Sequence, residues 1–198
     1  MSYFKEDEMG YTVPAGISNK HVHLSEADFK TLFGEDAEMS FFKKLSQPGQ
    51  FATDDKVDIV GPIGTLKGIR ILGPYRKQTQ VELAQTDCFA TGIKGVLRES
   101  GKLEGTPGCK LVGPKGEVEL TEGVIVAQRH IHLSTAQAEE AGVKNGDIVK
   151  VKFDGPRALV FDNVVVRAGD THERDMHLDT DEANAAGLQN GQLGEIVK

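Results

Sequence analysis

Residues His21-Val22-His23-Leu24-Ser25 return 109 positions later as His130-Ile131-His132-Leu133-Ser134. The residues before each copy correspond as well, Asn19-Lys20 with Gln128-Arg129. A second correspondence, offset by 95, aligns Gln80-Val81-Glu82-Leu83 and Thr91-Gly92-Ile93 with Asp175-Met176-His177-Leu178 and Ala186-Gly187-Leu188. A Gly-Pro pair precedes each, Gly61-Pro62 and Gly155-Pro156. Self-similarity of this kind marks a duplicated unit. The first repeat covers residues 11–104 and the second 109–198, with a Gly- and Pro-containing linker near Glu99 to Gly108. His23 and Glu82 are 59 residues apart, His132 and His177 only 45. The excess in the first repeat falls around residues 35–47.

Around these motifs the local signals repeat. An apolar strand ends at the histidine. Ser134 then caps a short helix with Gln137 three residues on, and Asp179 does so with Glu182. Gly142 and Gly187 supply the left-handed residue that ends each helix. Short helices are expected at residues 26–33, 86–92, 135–141 and 181–186. Strands are expected at 12–18, 56–60, 64–72, 80–83, 110–112, 117–120, 124–128, 147–153, 158–161, 164–167 and 194–197. Many short strands broken by Gly and Pro turns predict a mainly β fold: two small β-barrel domains from an internal duplication, capped by short helices. The N-terminal strand, residues 12–24, is open to exchange between the barrels.

Composition narrows the function. Hydrophobic residues make 38% and charged residues 27% of 198 positions, the balance of a globular chain. The net charge of −7 disfavours a general nucleic-acid binder, which needs a broad basic surface. It leaves room for a local basic pocket. No apolar run is long enough for a membrane helix, and residues 1–10 are charged rather than signal-like. Cys88 and Cys109 are too few for a disulfide framework or a four-thiolate zinc site. A reducing cytoplasmic setting is expected, with no nucleic acid and no membrane as partner.

The chemistry sits on the repeated histidines. Residues i and i+2 of a strand face the same side, so each His-x-His pair can chelate one ion. Each repeat adds a third donor at an equivalent place, Glu82 in the first and His177 in the second. The sets are His21, His23 and Glu82 against His130, His132 and His177. Imidazoles with a carboxylate suit zinc or another borderline divalent ion. His172 has no partner in the first repeat and reads as structural or surface. Neither cysteine shows the flanking histidine that a catalytic thiolate needs. Arg70, Arg76 and Lys77 gather before Glu82, and an arginine beside a divalent metal is a natural bidentate phosphate clamp.

These motifs together resemble a known family. They run from Val13-Pro14-Ala15-Gly16-Ile17-Ser18-Asn19-Lys20-His21 through Gln47-Pro48-Gly49-Gln50, Leu72-Gly73-Pro74 and Gln80-Val81-Glu82. They continue with Gly123-Val124-Ile125-Val126-Ala127-Gln128-Arg129-His130 and Met176-His177-Leu178-Asp179-Thr180-Asp181-Glu182-Ala183-Asn184. The chain is similar, from Thr12 onward, to the propanediol-utilisation type of phosphotransacylase, the phosphate propanoyltransferases. The resemblance implies a dinuclear zinc site between two barrels. It implies reversible conversion of propanoyl-CoA or acetyl-CoA plus phosphate to acyl phosphate plus CoA. His130, His132, His177 and Glu82 would hold one zinc, and His21 and His23, with Glu82, the other. Arg76 would hold phosphate as the catalytic arginine. Ser18, Lys43, Arg70, Leu72, His177 and Asn184 would contact CoA. A homodimer is the family expectation. Some relatives enter bacterial microcompartments through an N-terminal helical extension; the short charged stretch before Val13 does not make one, so a cytoplasmic enzyme is expected.

Two other readings stay open on the residues alone. One is a zinc-dependent acyl-CoA hydrolase, which would release thiol without phosphate. The other is a non-catalytic barrel module with closed, four-ligand zinc sites.

Overall fold

The computed structural model describes residues 10–197. The expectation about a targeting extension falls largely on residues 1–9, outside the described residues. In chain order the elements are β1 (Thr12–Ser18), β2 (His21–His23), α1 (Glu26–Phe33), β3 (Lys43–Lys44), β4 (Phe51–Val60), β5 (Thr65–Gly73), β6 (Gln80–Glu82), α2 (Gln85–Thr91), β7 (Leu97–Arg98), β8 (Lys110–Val112), β9 (Glu117–Glu119), β10 (Val124–Ala127), β11 (His130–Leu133), α3 (Thr135–Ala141), β12 (Ile148–Phe153), β13 (Leu159–Ala168), β14 (Asp175–Asp179), α4 (Thr180–Ala186) and β15 (Leu193–Val197). The fold is mainly β with four short helices, as the turn-rich sequence predicts. No helix among the described residues is long and apolar enough to cross a membrane.

The chain forms two compact units. One combines the segment up to Ser18 with Arg129 onward; the other is continuous from Asn19 to Gln128. The sequence duplication and the compact units are thus different divisions of the chain, because β1 belongs with the second repeat.

The discontinuous unit is a closed six-stranded barrel in the order β1-β14-β11-β13-β12-β15. Closure comes from β1, which runs parallel to β14 on one side and antiparallel to β15 on the other. Its interior is filled by Val13, Ile131, Leu133, Val151, Phe153, Val164, Val166, Met176 and Leu178. Apolar burial of this kind is the main driving force for folding. β12 alternates strictly, with Val149, Val151 and Phe153 inward and lysines outward. The two strands expected at 158–161 and 164–167 are one strand, β13. A register shift between Val149 and Val151 and a positive φ of 53° at Asn163 carry it across the polar break at Asp162-Asn163. Where β15 passes Phe153, only glycine fits: a Cβ on Gly194 would lie 2.5 Å from the ring.

The continuous unit is a curled nine-stranded sheet in the order β7-β10-β6-β2-β5-β4-β8-β9, with β3 paired to β4. It closes only part of the way round. Its core gathers Val22, Leu24, Phe29, Leu32, Val57, Ile59, Ile71, Val81 and Leu111. β4 starts at Phe51, five residues before the expected boundary, because its first half pairs with β3 and with the end of β5.

The helix caps follow the sequence signals. Ser134 Oγ accepts from the Gln137 amide while the Gln137 side chain accepts from the Ser134 amide, at 3.2 and 2.8 Å. Asp179 and Glu182 make the same exchange at 2.8 and 3.0 Å. Gly142 and Gly187 end their helices at φ of 64° and 65°. Both devices fix the direction in which the chain leaves a histidine-bearing strand.

Candidate metal centres and active-site residues

In the continuous unit, His21 and His23 lie on β2, and β6 runs antiparallel beside them with Glu82 opposite His21. In the barrel, His130 and His132 lie on β11, and antiparallel β14 sets His177 opposite His130. The two repeats therefore use one device: a His-x-His strand and a third donor across one ladder. Each set brings three donor atoms within 4.8 Å of one another.

The first cluster is buried, with His21 7% and His23 3% exposed. Glu82 Oε2 lies 3.5 Å from His21 Nε2, and Oε1 lies 3.9 Å from His23 Nε2. His21 Nδ1 is 2.8 Å from the Asn19 carbonyl and donates to it, which turns Nε2 toward the cluster. Burial opposes charge at Glu82, but His21, His23 and Arg76 outweigh it and hold the carboxyl well below the usual carboxylate range. Burial would also lower His21, yet the adjacent carboxylate reverses the sign and raises it. His23 is pushed well down by burial and then by the His21 and Arg76 cations.

The second cluster is all imidazole. His130 Nε2 and His132 Nε2 face each other at 3.1 Å. The ring centroids of His130, His132 and His177 are 4.7 to 5.0 Å apart. His177 Nε2 lies 3.2 Å from Asp175 Oδ2. Burial, then the neighbouring histidines, push His132 down to about 2. A neutral imidazole is the form that binds a metal.

These donors fit zinc. Zinc–nitrogen bonds of about 2.0–2.1 Å at tetrahedral angles put two ligand nitrogens roughly 3.3 Å apart, close to the His130–His132 separation. Each cluster offers three donors of the types zinc prefers.

Arg76 belongs to the first cluster. Its backbone amide donates to the Leu24 carbonyl at 2.9 Å, just after β2. Its Nη2 lies 2.8 Å from His23 Nε2, and its Nη1 donates to Ser100 Oγ at 3.0 Å. Two further residues, Gln80 and Ser100, were not singled out by the sequence reading. Gln80 Nε2 donates to Glu82 Oε1 at 2.5 Å and to Ser100 Oγ at 2.8 Å. Ser100 Oγ meets Glu82 Oε1 at 3.2 Å, and the Gly101 amide donates to Gln80 Oε1 at 2.8 Å. Gln80 could have been found, since it sits two residues before Glu82 on the same face. Ser100 lies in the stretch read as linker and carries no local signal.

The residues expected to contact CoA fall into one group in each unit. Lys43, Ala52 and Leu72 make one cross-strand row, and Arg70 lies two residues before Leu72. Arg70 covers the Phe42 ring at 4.8 Å, donates to the Thr53 carbonyl and meets Asp54 at 3.4 Å. In the barrel, Ser18 ends β1 opposite Asp179, and His177 stands opposite Gly16. Asn184 is exposed on α4. His172 is not a bare surface group: its ring packs 4.7 Å from His132. Both cysteines are buried, and burial pushes the Cys109 thiol up to about 12, which suits no nucleophile.

The family description phosphate propanoyltransferase matches residues 14–189. A phosphate propanoyltransferase of Thermotoga maritima is 52% identical over 77% of this chain and 73% of its own. That of Sebaldella termitidis is 51% identical over 79% of this chain and 74% of its own. That of Citrobacter freundii is 50% identical over 78% and 74%. A match across both metal-type clusters, at this identity and coverage, is one of common descent. The chain belongs to the phosphate propanoyltransferase family.

Proposed function

We propose that this protein transfers a short acyl group, propanoyl by the relatives' name, between CoA and inorganic phosphate, and that its two histidine clusters hold two zinc ions. The observation that carries the reading is the doubled cluster with one arginine placed on it: three donors on matched strands twice over, and Arg76 at 2.8 Å from His23. In the forward direction the acyl carbon loses its bond to the CoA sulfur and gains one to a phosphate oxygen. Zinc, when bound, supplies Lewis-acid stabilisation for the polarised carbonyl or the departing thiolate.

The chain's own residues do the rest. Arg76 presents a fixed guanidinium, held from behind by Ser100, and grips phosphate in the orientation needed for attack. Gln80 and Ser100 hold Glu82 and so fix the first cluster. Lys43 and Arg70 offer cations for the phosphates of CoA, Leu72 lies in their row, and Ser18, His177 and Asn184 supply contacts from the barrel. Transfer is direct within a ternary complex, since neither buried cysteine is set up as a nucleophile among the described residues. Acetyl-CoA differs by one methylene, worth only about 1–3 kcal/mol in a pocket, so it is accepted as the poorer or comparable substrate.

The test is release of CoA from propanoyl-CoA by the zinc-loaded protein, with and without phosphate. Release that requires phosphate and stops with a chelator is expected. Release without phosphate would establish the hydrolase instead, and no release with zinc bound would favour the structural module.

A further inference from the structure

Gln80 aligns with Asp175 at the offset of 95, and each stands two residues before the third donor of its cluster. In the first repeat that donor is a carboxylate, and Gln80 turns its amide N–H to Glu82 Oε1 at 2.5 Å. In the second repeat the donor is an imidazole, and the residue beside it is a carboxylate: Asp175 Oδ2 lies 3.2 Å from His177 Nε2. The supporting group changes polarity together with the donor it supports. A carboxylate is steadied by an N–H, and an imidazole by an acceptor for the nitrogen it does not give to a metal.

The barrel shows on which side of His177 this contact lies. β14 runs between β1 and β11, and the other two histidines are on β11. Met176 and Leu178 belong to the barrel core, so Asp175 and His177 share the opposite face of β14. Val13 and Ala15 belong to the same core, so Gly16 shares that outer face too, beside His177 in the parallel register. A Cβ on Gly16 would lie 2.6 and 2.7 Å from the two Asp175 carboxylate oxygens, and the three atoms nearest to it all belong to Asp175. The carboxylate therefore leans toward β1, away from the strand of His130 and His132, into space left open because residue 16 has no side chain. Asp175 is 9% exposed there. It is not one of the donors that gather within 4.8 Å of one another. Glycine inside a strand weakens it and often marks a close approach; here the approaching group is this carboxylate. With Nε2 turned to the β1 side, the His177 nitrogen left to face β11 is Nδ1.

We propose that Asp175 is a positioning residue for His177: it accepts the Nε2–H, holds the ring in the tautomer whose Nδ1 lone pair faces His130 and His132, and sits in a niche that Gly16 leaves open. This rests on the reading that His130, His132 and His177 hold a metal. A carboxylate behind a ligating imidazole fixes the ring and raises its basicity, and loss of such a partner typically costs 10–100-fold in metal affinity.

The test uses the full-length chain in a background with His21→Ala and His23→Ala, so that the trihistidine cluster reports alone. Zinc affinity is measured by competition with a chromogenic chelator. The His177 tautomer is read by nitrogen NMR of the metal-free protein labelled at histidine. Asp175→Ala removes the acceptor, and Gly16→Ala keeps it in the chain but displaces it. Both are expected to weaken zinc binding about 10-fold or more and to move His177 from a single Nε2–H tautomer to a mixture. Gly194→Ala, which crowds Phe153 in the same barrel without touching this pair, is expected to lower stability and leave both readouts unchanged. Parent affinity or an unchanged tautomer in either Asp175→Ala or Gly16→Ala would overturn the proposal. So would a parent protein whose His177 carries its proton on Nδ1. An equal loss of affinity in Gly194→Ala would overturn it as well, since barrel stability would then be the cause. If the background protein binds no zinc at all, the metal reading itself has failed and the proposal falls with it.

Discussion

Arg129 Nη1 meets Glu182 Oε1 at 2.8 Å, and the pair joins a histidine strand to a helix. Arg129 immediately precedes His130, and Glu182 is the third residue of α4, which follows the strand of His177. Glu182 also accepts from the Asp179 amide, so one carboxylate caps the helix and anchors the strand. The first repeat has the same link. Lys20 Nζ meets Asp87 Oδ1 at 2.7 Å, and Asp87 is the third residue of α2 after the strand of Glu82. Each cluster is therefore braced from behind by one cation and one helix N-terminus.

Breaking the brace should loosen the cluster more than it weakens the fold. Both partners are partly exposed, so Arg129→Ala should cost on the order of 1 kcal/mol, read as a Tm lower by about 2–4 °C. Zinc content after dialysis should drop further than that stability loss explains. The pair exchanged as Arg129→Glu with Glu182→Arg should recover part of both.

Arg76→Ala should raise the phosphate KM by an order of magnitude or more and leave the KM for propanoyl-CoA nearly unchanged. Arg76→Lys should recover little, because a lysine cannot grip phosphate bidentately. Initial-rate kinetics with phosphate varied decide it. An unchanged phosphate KM and kcat would remove Arg76 from the phosphate site.

Ser100→Ala removes one contact each from Arg76, Gln80 and Glu82. It should lower kcat/KM for phosphate and weaken metal retention in the first cluster by about 10-fold, the usual scale for a residue that orients a ligand. Circular dichroism should be unchanged, since Ser100 lies in a loop outside both hydrophobic cores.

Cys109 gives the alkaline limb of stability. Its thiol keeps its proton to about pH 12 in the folded chain, against an ordinary value near 9. The folded state thus holds more protons than the unfolded state between those values. Stability should fall as pH rises above about 9, and Cys109→Ser should flatten that fall. In native protein neither buried cysteine should react readily with a thiol reagent at pH 8, while both should react in denaturant.

Gly194→Ala should destabilise by about 1–3 kcal/mol, because the new methyl meets the Phe153 ring inside a filled barrel. Thermal denaturation measures it. Phe153→Leu added to that variant should return part of the loss by opening the space.

The candidate site was largely legible in the sequence, since its parts are local. His-x-His is a strand-period pattern, the capping boxes lie within four residues, and the repeat supplied Glu82 and His177 as matched third donors. What escaped reading depends on pairing distant in sequence. Ser100 reaches Glu82 only because its loop folds back against β6. His172 meets the His132 ring only because the loop after β13 folds back onto β11. The run from Leu159 to Ala168 looked like two strands because Asp162-Asn163 is polar, and only the register shift opposite Val149 lets one strand pass through it. β1 gave no sign in its own residues of which barrel it would close.

That last feature sets an order of events during synthesis. The barrel needs β1 together with β14 and β15, which are made long after it. On the ribosome β1 emerges with neither neighbour in existence, and about 110 residues follow it before the next barrel strand appears. The continuous unit holds its whole core within residues 19–128, so it can complete that core before the rest of the barrel is made. The barrel can close only once β14 and β15 have been made and can pair with β1 on either side.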